Sequence, residues 1–140
     1  MTPLESEIVV KIVIAAALGS LIGLEREMRK KPAGMRTHAL VCIGATLFTI
    51  LSFSFTGSSV DTSRIAAGIV TGIGFLGAGV IFQAKDKIKG ITTAAELWVL
   101  AAIGVAIGMG LYFAAGISTL VVLAVLWPAK ILERKVVRKN

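Results

Sequence analysis

The chain is poor in the residues that most often carry covalent or metal chemistry. Its 140 residues include one cysteine, Cys42, and one histidine, His38. A lone cysteine excludes an intramolecular disulfide and a thiolate metal site, and we interpret Cys42 as a small apolar residue inside a helix. No nucleophile stands beside a base, no metal ligands have a recognisable spacing, and no nucleotide-binding loop is present. We therefore expect neither an enzyme nor a site for a metal or another cofactor.

Long polar stretches are also lacking, because five apolar runs occupy most of the chain. Hydrophobic residues make up 56% of the sequence, and the mean hydropathy is +0.87. The runs cover residues 8–24, 37–55, 65–84, 92–109 and 111–131, each near the ~20 residues that cross a bilayer as a helix. The sequence predicts an all-α polytopic membrane bundle of five transmembrane helices. We place this domain at residues 1–132 and a short basic cytoplasmic tail at residues 133–140.

Basic residues are not spread evenly between the runs. Of the 15 lysines and arginines, thirteen lie in the first connection, the third connection or the tail: Arg26, Arg29, Lys30, Lys31, Arg36, Lys85, Lys87, Lys89, Lys130, Arg134, Lys135, Arg138 and Lys139. The positive-inside rule then places these parts in the cytoplasm and the N-terminus outside. The net charge of +7 follows from this topology, so we expect the lipid bilayer as a partner and no nucleic acid.

The start of the first run is acidic, which is the reverse of a cleaved secretory signal. Glu5 and Glu7 precede the run, and basic residues follow it. We therefore expect the first helix to be retained. Lys11 lies about one turn inside this helix, where its side chain would extend to the outer membrane surface.

Two helix starts resemble each other at an offset of 56 residues. GMRTHAL at residues 34–40 aligns with GITTAAE at residues 90–96. If the stretches arose by duplication, helices 1 and 2 repeat as helices 3 and 4 in the same orientation. Thr37, Thr92 and Thr93 follow the glycines and are suited to helix capping. Such starts also favour anions, so a phosphate or anionic lipid head group beside Arg36, Lys87 and Lys89 is the alternative to ordinary capping.

Glycine is concentrated in the third run and recurs at four-residue spacing elsewhere. The positions are Gly68, Gly72, Gly74, Gly77 and Gly79, together with Gly19, Gly23, Gly104 and Gly108. Small residues let helices approach closely in lipid, which predicts tight packing within the subunit or across a homodimer. The alternative is a broken helix at residues 73–79 whose carbonyls face an ion or substrate.

Ionisable residues at membrane depth are functional candidates because they are costly to bury. Glu96 lies about one turn into the fourth helix and is expected either to pair with Arg26 or Arg36, or to carry a cation or proton toward Asp61. His38 is either a pH-sensitive group or a hydrogen-bonding residue at the interface. For Glu25 and Glu27, at the end of the first helix, we expect salt bridges with neighbouring arginines.

Four ordered motifs resemble those of the MgtC/SapB family. They are GLERE at residues 23–27, KPAGMRTH at 31–38, GIGFLGAGVIF at 72–82, and GITTAA at 90–95 followed by LWV at 97–99. The resemblance covers about residues 8–130. It implies a bacterial inner-membrane protein linked to magnesium homeostasis, growth at low magnesium and, in pathogens, virulence inside host cells. It also implies a regulator of other membrane machinery, including ATP synthase, more than a magnesium transporter.

The chain departs from that family pattern in two respects. Virulence-related members continue into a soluble C-terminal domain, whereas the sequence here ends at Asn140 after a short basic tail, so we expect a short form without that domain. Glu96 stands where the family pattern leads us to expect a small or hydroxyl residue.

Two functions remain open at this point. A regulator that binds another membrane protein predicts a large exposed surface of small residues and no water-filled route. A transporter or channel subunit, for a cation such as Mg²⁺ or a small anionic solute, predicts a path lined by Glu96, Asp61 and the third helix.

Overall fold

The computed structural model describes residues 3–55, 61–84 and 87–127. The helices are α1 (Pro3–Met28), α2 (Met35–Ser54), α3 (Ser63–Val80), α4 (Ile91–Gly108) and α5 (Tyr112–Leu126), and the strands are β1 (Phe82–Ala84) and β2 (Lys87–Lys89). The first four helices are long and apolar enough to cross a membrane, and α5, with 15 residues, is shorter. The all-helical bundle agrees with the sequence prediction, while its orientation stays a prediction. The expected basic tail lies outside the described residues.

Helix α4 lies at the centre of the bundle, because it packs against each of the other helices. Its buried side chains include Leu97, Leu100, Ile103 and Ile107. Helix α2 lies between α1 and α4, and Cys42 on α2 is fully buried in this core. Apolar side chains on the outer faces are mostly exposed, which is the pattern of helices that meet lipid.

Four glycines allow α1, α2 and α4 to approach at backbone distance. A Cβ atom on Gly23 would lie 2.6 Å from the Met35 Cα atom, and one on Gly108 would lie 2.5 Å from the Thr49 Cβ atom. Gly19 and Gly104 have similarly close contacts with α2. The Thr46 hydroxyl donates a 2.9 Å hydrogen bond to the Gly104 carbonyl. Close packing without side chains therefore joins these three helices.

Helix α3 packs differently, although it has the most glycines. At Gly68, Gly72, Gly74 and Gly79, no neighbouring atom lies within 4 Å of where a Cβ atom would be, and a Cβ at Gly77 would lie 3.5 Å from the Ala94 Cβ. Against the described part of the chain, Gly77 alone among these five has the expected packing. The helix is continuous from Ser63 to Val80, so the interpretation of residues 73–79 as a broken helix is wrong.

A short β-hairpin follows α3 and was not expected from the helical pattern. The predicted third span runs to residue 84, but α3 ends at Val80, and Phe82 pairs with Lys89 in an antiparallel β1–β2 ladder. Gly90, which follows β2, has φ +93°, and a Cβ atom there would lie 1.9 Å from the Val80 carbonyl oxygen. Glycine therefore lets the chain pass the end of α3 before α4 begins.

Candidate functional site

Four ionisable side chains meet inside the bundle, at the end where α1 turns into α2 and α4 begins. This charge cluster consists of Glu25 and Arg26 on α1, His38 on α2 and Glu96 on α4, and each is at most 9% exposed. It joins residues up to 71 positions apart, from Glu25 to Glu96. Ionised groups are expensive to bury alone, so their mutual contacts decide the chemistry of the site.

Arg26 connects the two carboxylates of the cluster. Its Nε atom lies 2.9 Å from Glu96 Oε2, and its Nη1 atom lies 3.7 Å from Glu25 Oε2. Its Nη2 atom also donates a 3.3 Å hydrogen bond to the Thr93 hydroxyl. Of the two partners expected for Glu96, the structure therefore selects Arg26, whereas Arg36 is exposed.

Glu25 faces the rim of the cluster. One carboxylate oxygen forms a close ion pair with Arg29, one helical turn further along α1. Arg29, whose side chain is 21% exposed, also donates a 3.3 Å hydrogen bond to the Trp127 carbonyl. This arrangement connects the buried charges to the aqueous edge of the bundle and links α1 with the end of α5.

His38 is fully buried and contacts the cluster with one ring nitrogen. Its Nδ1 atom lies 2.9 Å from the Gly34 carbonyl oxygen, and its Nε2 atom lies 3.4 Å from Glu96 Oε1. Because α2 begins at Met35, His38 stands one turn into the helix and faces α1 and α4. The proximity of His38 to Glu96 was not predicted. The two residues lie 58 positions apart, and the sequence relates them only by a similar predicted depth in the membrane.

The two expected helix starts are not capped by threonine. Helix α2 follows Gly34 and α4 follows Gly90, and neither start has a side-chain cap from its N-cap residue. Thr37 and Thr92 are exposed in the first turns, whereas Thr93 is buried against Arg26. The capping prediction is therefore wrong for these threonines, because each helix starts before them.

The chain itself supplies a carboxylate to the first N–H group of α2. Glu27 Oε2 accepts a 2.9 Å hydrogen bond from the Met35 backbone N–H. Glu27 thus lies at a helix start where a bound anion was the alternative to ordinary capping. At the start of α4, Lys89 is exposed, and the Lys87 side chain and Lys85 lie outside the described part.

Asp61 and Glu96 are not brought together. Asp61 is exposed just before α3, where Oδ1 accepts hydrogen bonds from the Ser63 backbone N–H (2.9 Å) and hydroxyl (2.6 Å). These hydrogen bonds, with the nearby Arg64 charge, hold the pKa of Asp61 below its ordinary value. Glu96 lies toward the other end of α3, which as an 18-residue helix is ~27 Å long. Lys11 pairs at 2.8 Å with Glu7, near the start of α1.

A second candidate site is an apolar groove between α2 and α3. Its volume is about 680 Å³, and its floor reaches Ala101 of α4. Gly44, Gly68 and Gly72 line it, with Phe48 and Leu76 among the larger side chains. The glycine pattern pointed to α3 but not to the shape of this groove, which depends on how α2 and α3 diverge.

Neither site has the composition of a metal centre. Within residues 3–55, 61–84 and 87–127, no group of three His, Cys, Asp or Glu side chains is placed to hold a metal ion. Arg26 pairs with one carboxylate oxygen of Glu96, and His38 faces the other. Chemically, the cluster is suited to ion pairing and proton binding, and the groove to apolar contacts.

The sequence pattern that defines the MgtC family matches residues 12–135. Protein MgtC of Brucella abortus (strain 2308) is 49% identical over 111 residues, which is 79% of this chain and 46% of that protein. YhiD of Escherichia coli (strain K12), whose name marks it as a candidate magnesium transporter, is 46% identical over 114 residues, covering 76% and 53%. An uncharacterised Haemophilus influenzae protein is 41% identical over 139 residues, covering 93% and 58%.

The chain spans about half the length of these relatives. No solved structure has a significant match to it.

Proposed function

This chain belongs to the MgtC family, and from that premise we propose that it is a bacterial inner-membrane protein that acts in magnesium homeostasis. In this proposal it regulates another membrane protein by binding one of that protein's transmembrane helices in the α2–α3 groove. The regulated protein supports adaptation to low magnesium. The magnesium link rests on the family and on the name of YhiD.

The open glycine face of α3 is the observation that carries the regulatory role. Gly68 and Gly72 line an apolar groove, and a Cβ atom at either position would meet no other atom within 4 Å. In lipid, small residues stabilise a helix pair only when another backbone comes close to them. Inside this subunit Gly19, Gly23, Gly104 and Gly108 already have such a partner. A helix from outside the subunit would give Gly68 and Gly72 the same kind of contact.

The charge cluster supports this role over transport. Both of its carboxylates face arginines, and the Glu96 side chain is 2% exposed. A conducting site needs ligands that can exchange between protein, water and ion. Here the guanidinium of Arg26 forms an ion pair with Glu96. This arrangement suits a permanent contact between α1 and α4 better than a binding site on an ion path.

Leucine substitutions in the groove test this proposal. Gly72→Leu places a side chain where a partner helix would lie, without a clash inside the subunit. In a bacterium that lacks its own MgtC family protein, the unchanged chain should restore growth at low magnesium, and Gly72→Leu should not. Gly116→Leu is the matched control, because Gly116 on α5 is equally open but lies outside the groove. Full rescue by Gly72→Leu at equal protein levels would contradict the proposal.

Transport of Mg²⁺ or a small anionic solute is the second candidate. It is favoured by the name of YhiD and by the burial of ionisable groups between helices. If Glu96 bound the transported ion, Glu96→Gln would abolish rescue and Gly72→Leu would have a smaller effect. A regulator predicts the opposite ranking of these two variants.

A further inference from the structure

Two hydrogen-bond acceptors face each other inside the charge cluster unless an additional proton lies between them. The Gly34 carbonyl oxygen carries no hydrogen, so His38 Nδ1, 2.9 Å away, must be the protonated donor. A neutral imidazole then has a lone pair on Nε2. This atom faces Glu96 Oε1 at 3.4 Å, and neither atom has another hydrogen-bond partner among the described residues.

Within the part of the chain that the structure describes, no other donor reaches this pair. From α1, Arg26 uses its Nε atom on the opposite oxygen of Glu96 and its Nη2 atom on Thr93. Arg29 is engaged by Glu25 and the Trp127 carbonyl. From α4, Thr93 and Glu96 are the polar groups that reach the cluster. Two buried acceptors in contact cost the desolvation of both without a compensating hydrogen bond.

The ion pairs of the cluster do not supply this missing hydrogen. Arg29 pairs with Glu25, and Arg26 pairs with Oε2 of Glu96, so each buried carboxylate has its own cation. Oε1 of Glu96 and Nε2 of His38 still face each other. The need for an additional proton therefore comes from these two facing acceptors and not from the charge balance.

We propose that His38 and Glu96 form a buried proton-binding site that holds one proton between Nε2 and Oε1. The proton gives one of the two facing atoms a hydrogen to donate. It thereby joins α2 to α4 at the point where Arg26 joins α1 to α4. Release of the proton leaves two opposed acceptors without a hydrogen between them, so the contact between α2 and α4 weakens. The site does not depend on a partner helix in the groove.

The protonation state can be read directly, because His38 is the chain's single histidine. The full chain, labelled with ¹⁵N at histidine and reconstituted in lipid bilayers, gives one pair of ring nitrogen resonances. At neutral pH we expect an imidazolium, or a neutral ring protonated at Nδ1 together with the infrared band of a protonated Glu96 carboxyl. Either state places the additional proton in the pair. A neutral ring beside an ionised Glu96, on either tautomer, would overturn the proposal.

Glu96→Gln gives a second readout on the same resonances. The glutamine amide can donate a hydrogen to Nε2, so the ring should become neutral, keep its proton at Nδ1 and lose the additional proton at the same pH. Asp61→Asn removes an exposed carboxylate outside the cluster and should leave the resonances unchanged. An imidazolium that persists in Glu96→Gln at the same pH, or a protonated-carboxyl infrared band that persists in this variant, would contradict a shared site. The measurement on the unchanged chain stands even if Glu96→Gln does not fold.

Discussion

Arg26 is the residue whose loss should disturb the charge cluster most. It is the guanidinium that contacts both buried carboxylates, and its side chain is 5% exposed. Lys11 also forms an ion pair on α1, but its partner Glu7 is 55% exposed. The Arg26 and Lys11 ion pairs should therefore differ greatly in their contribution to stability. Water can replace the partner of the exposed Lys11 pair, but it cannot replace the partner of the buried Arg26 pair.

Arg26→Met should lower the free energy of unfolding by about 3–5 kcal/mol, because it leaves the buried Glu96 carboxylate without its cation. Lys11→Met should cost about 0.5 kcal/mol or less. Unfolding of the purified full chain in mixed micelles, followed by circular dichroism, measures both values. Adding Glu96→Leu to Arg26→Met should recover part of the loss, since it removes one uncompensated charge. Equal effects of the two methionine substitutions would refute the assignment of Arg26.

Asp61 provides a pH-dependent contact at the start of α3. Its pKa lies below the ordinary value of about 3.9 because Ser63 donates two hydrogen bonds to the ionised form. Its stabilising contribution is therefore present above pH ~3.9 and is lost as pH falls through the lower, folded-state pKa. Hydrogen exchange at the Ser63 amide should accelerate in that acidic range. In Asp61→Ala it should be fast at every pH, and unaltered protection in that variant would exclude the contact.

The sequence indicated Arg26 and Arg36 as possible partners of Glu96, with an ion path toward Asp61 as the alternative, because opposite charges lie at the same depth of neighbouring helices. The structure selects Arg26. The sequence could not predict that His38 belongs to the charge cluster, because the direction of the His38 side chain depends on the rotation of α2 about the helix axis. That rotation is fixed by contacts such as Gly19 against the His38 carbonyl and Gly23 against Met35. Those contacts are determined by packing and not by local composition.

At the level of elements, identical glycine spacings have opposite environments. Gly104 and Gly108 on α4 contact the backbone or side chains of α2, whereas Gly68 and Gly72 on α3 have open space. Two glycines at four-residue spacing permit another helix to approach closely. Which helix does so depends on the arrangement of the helices in the bundle. The end of α3 was mispredicted for a related reason. Residues 82–84 are part of an apolar run, yet they pair with β2 in a hairpin.

Alanine substitutions distinguish these two classes of glycine. Gly108→Ala introduces a Cβ atom 2.5 Å from the Thr49 Cβ, and such overpacking should cost about 1–3 kcal/mol of stability. Gly68→Ala meets no neighbour in the subunit and should be neutral or stabilise the isolated chain by up to about 1 kcal/mol. Thermal unfolding in the same detergent measures the difference. A stable Gly108→Ala would show that α2 and α4 are not in close contact.

At the level of the whole molecule, the direction of insertion is predicted from the basic connections. Arg29, Lys30 and Lys31 lie between α1 and α2, whereas the start of α3 has Arg64 against Asp61. We expect Lys31→Cys to react with a membrane-impermeant maleimide only after the inner membrane is opened, and Thr62→Cys to react in intact spheroplasts. Cys42 is fully buried and should contribute little background. Labelling of Lys31→Cys in intact spheroplasts would contradict the predicted orientation.

Two helix starts that align in the sequence differ in backbone conformation. Gly34 has φ −98° and precedes α2 after a short turn, whereas Gly90 has φ +93° and follows the β-hairpin. The duplication of helices 1–2 and 3–4 thus stays a prediction. The helices of the bundle fall into two groups. Buried charges and close glycine contacts join α1, α2 and α4, whereas α3 has four of its five glycines without a close neighbour among the described residues.

Mg²⁺ flux through the purified chain tests most directly the central claim that this protein is a regulator and not a transporter. Full-length protein is reconstituted into vesicles that contain a fluorescent Mg²⁺ indicator, and Mg²⁺ is added outside. A regulator whose buried carboxylates are held by arginine should admit Mg²⁺ no faster than protein-free vesicles do. Entry that is faster than this background, rises with protein content and is abolished by Glu96→Gln would contradict the account.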